Sequence, residues 1–268
     1  MKTMNPKLLV FALLITATQN SCSQKQNNKE QKNMITKEQY NTISKNVKTY
    51  DYNPTYQIKV NTNLCTYEIY INDMLADFSF TTGRTAGEQT IAIPQYILKS
   101  GLQSIRFKVY PKAIEDGVLE EWVDKNADFS VRIVHGEYYK MKFEDFKEVL
   151  KMKLPKIDAN LPFIELKGEF IAEVPYVLEG WSKGMDLTKE DSKKLEQEVL
   201  GRIKELADLY RNKDLEGLAK EQYNRTREID QSMYLNTKEY SQEWVNELQE
   251  ALNEAKSTEL LDDLTKLY

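Results

Sequence analysis

Near residue 180 the period of the apolar side chains changes, and the change divides the chain into two kinds of structure. Before it the period is two. Tyr56, Ile58 and Val60 alternate with polar residues, as do Tyr67, Ile69 and Ile71, then Ile105, Phe107 and Val109, then Phe129, Val131 and Ile133. Such alternation turns one set of side chains to a buried face and the other to water. Turn residues fall between these runs: Asn72-Asp73, Thr82-Gly83, Ala86-Gly87, Ser100-Gly101 and His135-Gly136. Short strands at this spacing predict an antiparallel β-sandwich over 51–178. Phe78 to Thr81 and Thr90 to Ile93 are expected as further strands. Glu115 to Asn126, around Trp122, is expected as a loop or one helical turn. Met141 to Lys153 fits a helix or a strand. Gly168 is expected as a turn between Ile164–Leu166 and Phe170–Ala172.

Beyond the change the spacing is three and four. Thr188 stands as an N-cap with an acid at Asp191. Leu195, Val199, Ile203, Leu206 and Tyr210 then mark one helix face. Asn212-Lys213-Asp214 breaks that helix. A second carries Leu215, Leu218, Ile229 and Met233, and a third runs from about Thr237 through Trp244, Val245, Leu248 and Leu252. Leu260, Leu261, Leu264 and Leu267 make a short fourth. Short loops imply antiparallel neighbours. The expected class is therefore α+β, with the sandwich followed by a helical domain over 179–268.

The first residues carry an address. Lys2 and Lys7 precede the apolar run Leu8 to Ile15; Thr16-Ala17-Thr18 close it and Gln19-Asn20-Ser21-Cys22 follow. A basic start, a short apolar run and small residues make a secretory signal peptide, here 1–21. The run is too short to span a bilayer, which takes roughly 20 residues. Ser21-Cys22 after such a run resembles the lipobox of bacterial lipoproteins, although Gln19 stands where that family has Leu. The looser box and the polar Ser23-Gln24-Lys25-Gln26 after it are similar to lipoproteins of the Bacteroidetes type. The resemblance implies that Cys22 is acylated, becomes the new N-terminus and ties the chain to the cell envelope, most simply at the outer membrane. A plain cleaved signal and a soluble periplasmic or secreted protein is the other reading. Residues 22–50 are expected as a flexible polar tether, with a short helix somewhere in Ile35 to Lys48.

A second resemblance lies inside the first part. The strand Tyr67 to Asn72-Asp73, then Pro94 to Gly101 leading into Gln103–Tyr110, is similar to immunoglobulin-like and jelly-roll sandwich modules over 56–111. Some modules of these kinds bind glycans.

Charge and chemistry exclude more than they assign. The net charge is −5, and removing Lys2 and Lys7 with the signal takes it to −7. That argues against nucleic acid, whose binding needs Lys and Arg on phosphates. With Cys22 acylated, Cys65 has no disulfide partner and is expected as a buried thiol. The single histidine, His135, is expected in a turn; one histidine excludes His-rich metal sites and the HExxH motif. No phosphate-binding glycine loop, nucleophile elbow or calcium loop is present. No cofactor and no enzymatic activity are therefore expected. Aromatics remain: among 16 Tyr and 3 Trp, Tyr70 and Tyr110 fall on the outward face of their strands and Trp122 and Trp181 in loops. These four are the candidate binding residues.

Two function classes fit. One is a non-catalytic envelope lipoprotein that docks a protein; its layout resembles immunity lipoproteins that block an incoming toxin, and it predicts a flat or acidic patch. The other is a glycan-binding or glycan-uptake accessory lipoprotein, which predicts a shallow groove lined by coplanar aromatics.

Overall fold

A computed structural model describes residues 37–82, 88–137 and 140–254. The expected signal peptide, Cys22, the expected tether up to residue 36 and the expected fourth helix with Leu260, Leu261, Leu264 and Leu267 lie outside the described residues. The class is α+β. The chain divides into a strand unit, 48–178 with 231–234, and a helical unit, whose described parts are 37–47, 179–230 and 235–254.

Among the described residues the strand unit has ten strands: β1 Pro54–Asn63, β2 Cys65–Ile71, β3 Met74–Ser79, β4 Gln89–Ala92, β5 Gly101–Pro111, β6 Ala113–Glu115, β7 Val118–Leu119, β8 Asp128–Glu137, β9 Lys147–Lys153 and β10 Ile164–Ala172. They make two four-stranded antiparallel sheets, ordered β4-β1-β8-β9 and β10-β5-β2-β3, and the hairpin β6-β7. The inward set of each sheet enters one core. Ile58, Val60, Val131 and Ile133 come from the first sheet, and Tyr67, Ile69, Phe107 and Val109 from the second. Phe129 on β8 reaches the rings of Tyr67 and Phe107 at centroid distances of 5.2 and 5.0 Å, so one side chain joins both sheets. Asn72 and Asp73, with φ of 50° and 64°, turn β2 back into β3 in the two-residue hairpin geometry that Asn and Asp tolerate.

Several expectations are corrected here. Met141 to Lys153, open between helix and strand, contains β9 after a 3-10 turn at Phe143–Asp145. The third strand starts earlier than Phe78, directly after the Asn72-Asp73 turn. Glu115 to Asn126 holds the end of the small hairpin β6-β7 as well as loop. Gly168 is no turn, because β10 runs unbroken from Ile164 to Ala172 beside β5. A Cβ there would lie 2.6 Å from Met152 Sδ, so the glycine serves close approach. His135-Gly136 likewise still belongs to β8, close to its end: the His135 ring stacks on Tyr56 at 5.3 Å, and a Cβ on Gly136 would run into the Phe146 ring.

In the helical unit α1 is Lys37–Tyr40, α2 Ser192–Arg211, α3 Leu215–Met233, whose last residues belong to the strand unit, and α4 Lys238–Glu254. Asp191, not Thr188, caps α2, accepting the Lys194 N–H at 2.9 Å; Thr188 sits in a 3-10 turn capped by Asp186. Asp191 stands directly before the first helical residue, where its carboxylate meets the unpaired amides. The break at Asn212-Lys213-Asp214 is present, and Asp214 caps α3 through the Gly217 N–H at 2.8 Å. The described end of the expected tether is structured: Tyr40 and Ile43 are fully buried in a core with Leu218, Ala219, Val245, Leu248 and Leu252. Tyr40 and Ile43 are large apolar side chains in an otherwise polar segment, and packing against α3 and α4 takes them out of water.

Polar groups thread this second core. Tyr40 and Thr226 share a hydrogen bond of 2.9 Å, and the Ser44 N–H donates to Ser241 Oγ at 2.9 Å. Asp230 is fully buried; its Oδ1 accepts from Trp244 Nε1 at 2.9 Å, while Oδ2 meets no partner among the described residues. Burial pushes this carboxyl up to about 6, with the Trp244 bond pulling the other way. A folded-state value above the ordinary one means that the native chain holds the proton longer. Stability therefore falls as pH rises from about 4 to 6, by about 3 kcal/mol.

Two outcomes are expected. Phe129→Ala should lower the unfolding free energy of the strand unit by about 3–5 kcal/mol in urea melts. Asp230→Asn should stabilise the chain at pH 7.5 by about 1–3 kcal/mol and gain little at pH 4; equal effects at both pH values would refute the buried-charge account.

Candidate binding face

The outward face of the β10-β5-β2-β3 sheet gathers the side chains that the core rejects. Because Tyr67 and Ile69 point inward on β2, Glu68 and Tyr70 point outward; on β5 the same parity turns out Arg106, Lys108 and Tyr110. Register then sets neighbours. Glu68 lies opposite Phe78 and Lys108, Tyr70 opposite Leu75 and Arg106, and Lys108 opposite Glu165.

Aromatic rings run along one end of this face. Phe78 meets Phe80 at 6.1 Å, Phe80 meets Tyr110 at 5.4 Å and Tyr110 meets Phe163 at 6.1 Å, with interplanar angles of 38°, 54° and 42°. Phe78 is 55% exposed and Phe163 48%. The tyrosine hydroxyls are pinned: Tyr110 donates to Glu68 Oε2 at 2.8 Å and Tyr70 to the same oxygen at 3.0 Å. Burial, followed by these bonds to a carboxylate, raises both phenols above their ordinary value. Both therefore stay neutral hydroxyls at physiological pH.

Cations flank the rings. The Arg106 guanidinium stacks over Tyr70 at 3.8 Å, and Lys108 stands 5.8 Å from the Phe163 ring. Arg106, Lys108 and Lys167 all face Glu165, at 3.6, 3.9 and 3.1 Å. Lys167 first, then Arg106 and Lys108, hold the Glu165 carboxyl below the usual carboxylate range.

The four sequence-derived candidates separate. Tyr70 and Tyr110 lie together on this face, half-buried and joined through Glu68. Trp122 is 39% exposed in the loop after β7, where it lines a shallow depression with Ile114, Leu119 and Lys125. Trp181 belongs to the helical unit, half-buried in a turn closed by the Gly184 N–H on its own carbonyl at 2.8 Å. Phe78, Phe80 and Phe163 were not singled out from the sequence. Their signal is faint, because Phe80 and Phe163 lie just outside β3 and β10, where alternation gives no parity.

Other chemistry is sparse. Cys65 is a free, half-buried thiol pushed up by burial, with Thr62 Oγ1 at 3.3 Å. His135 is held below its ordinary value by burial and then by Lys147. Among the described residues no group of three His, Cys, Asp or Glu side chains is arranged for a metal, and no helix is long and apolar enough to cross a membrane.

No protein-family model matches the chain, no curated protein matches it, and no solved structure matches its fold.

Coupling between Glu68 and the tyrosines is measurable. Glu68→Ala and Tyr110→Phe, combined in a double-mutant cycle, should show about 1 kcal/mol of coupling in urea melts; additive effects would mean that the hydroxyl is not pinned.

Proposed function

We propose that this chain is an exported lipoprotein, anchored in the cell envelope through acylated Cys22, that docks another protein without catalysis. In this reading the strand unit is a β-sandwich of the immunoglobulin-like or jelly-roll kind, and its β10-β5-β2-β3 face is the docking surface. One observation carries it: exposed Phe78 and Phe163 flank tyrosines whose hydroxyls are already fixed on Glu68. Large rings with little freedom left to lose, next to an arginine, are the residue types that dominate protein–protein binding energy. An immunity-type lipoprotein that blocks an incoming toxin would have this layout.

The same rings support glycan binding less well. A pyranose chain stacks best on rings that share a plane, and neighbouring rings here are tilted by 38–54°.

The test is capture from detergent-solubilised envelope with the tagged chain. One dominant protein is expected, with recovery cut about tenfold by Phe163→Ala, while Cys22→Ser releases the chain from the membrane fraction. Equal recovery with Phe163→Ala, or retention on a polysaccharide array with no protein captured, would overturn the reading.

A further inference from the structure

We infer that the partner meets this face with carboxylates: an acidic stretch of polypeptide set among apolar side chains. The inference rests on the docking role proposed above and adds the chemistry of what docks.

Both carboxylates on the strip already have partners on the sheet. Glu68 Oε2 takes two tyrosine hydroxyls. Glu165 faces three cations, and of these only Lys167, at 3.1 Å, is within hydrogen-bond reach. Arg106 and Lys108, at 3.6 and 3.9 Å, make ion pairs through space and keep donors for something else. The Arg106 guanidinium carbon lies 3.8 Å from the centre of the Tyr70 ring, so the cation is held at the surface of the strip, where a carboxylate can reach it. Over these rows three cations meet two carboxylates, whereas the whole chain carries a net charge of −5, so this face is not the acidic patch expected from the sequence for a protein-docking chain. Glu169 lies one row beyond, opposite Ser104. A ligand that lies across the strip must therefore supply acceptors and negative charge.

The apolar part of the face selects polypeptide over acidic polysaccharide. Phe78 and Phe163 carry no hydroxyl for sugar hydrogen bonds, and neighbouring rings are tilted against each other. The exposed aliphatics Leu75, Leu102 and Ile171 extend the apolar surface past the cations on the same sheet, with Leu102 and Ile171 paired across β5 and β10. Carboxylates with apolar neighbours match that mixture, and charge complementarity of this kind acts mainly on association rate and salt dependence.

The experiment uses the full chain in detergent and a fluorescein-labelled random copolymer of glutamate and tyrosine, read by anisotropy. Binding is expected at 50 mM salt and about tenfold weaker binding at 300 mM. Lys108→Glu should weaken it about fivefold or more, Lys108→Arg should restore it, and Lys167→Glu repeats the charge test at an exposed position if Lys108→Glu fails to fold. Absence of binding, indifference to both charge reversals, or equal competition by polygalacturonate would overturn the inference. The two readings fail separately. An envelope partner that needs Phe163 but ignores salt and Lys108→Glu would sink the acidic partner and leave the docking face standing. A partner indifferent to Phe163→Ala would remove both.

Discussion

Burial of every second side chain from two sheets in a single core is the constraint on which the strand unit depends. Ile58, Val60, Val131 and Ile133 share one buried cluster with Tyr67, Ile69, Phe107 and Val109, and Phe129 spans the two sets. A slip of one residue in any pairing would turn a whole inward set to water. Pairing is therefore held across all of β1–β8 and β2–β5, and what lies on the outside follows from what is needed inside. Glu68 meets Tyr70 and Tyr110 because Tyr67 must pair with Val109 in the core. The candidate face is thus a by-product of the core in its placement, though not in its residue types.

The helical unit follows another logic. Its interior mixes leucines with paired hydroxyls and one carboxyl that burial pushes up to about 6. Such groups cost stability relative to apolar packing, yet they constrain which partners fit, since Ser44 must meet Ser241 and Tyr40 must meet Thr226. Those pairs lie 197 and 186 residues apart, so the segment before the strands completes a core built from helices after them.

Glycine is where local reading and tertiary packing diverge. Gly136 and Gly168 have the look of turns in a strand-rich sequence, since glycine punctuates strands more often than it occupies them. Each instead stays within a strand, Gly168 at the middle of β10 and Gly136 one residue from the end of β8, beneath a large side chain, Met152 in one case and Phe146 in the other. The signal is identical in sequence, because the absent Cβ serves a positive φ and a close approach equally well. His135 was drawn into the same misreading by its neighbour, while its actual place is a ring stack on Tyr56.

Period and parity were legible from the residues alone. The switch near residue 180, the Asn72-Asp73 hairpin, the break at Asn212-Lys213-Asp214 and the outward positions of Tyr70 and Tyr110 all rest on interactions within one element, where spacing fixes geometry. The tertiary structure decided everything that needs two elements at once: that β10 lies beside β5, so that Glu165 gathers Arg106, Lys108 and Lys167; that Phe80 and Phe163 close a row with Tyr110; and that Tyr40 and Ile43 leave the expected tether for the helical core. Strand order and long-range register are set by the summed burial of distant segments. No single segment records that sum, so composition and period locate the aromatics but only the assembled sheet joins them into a face.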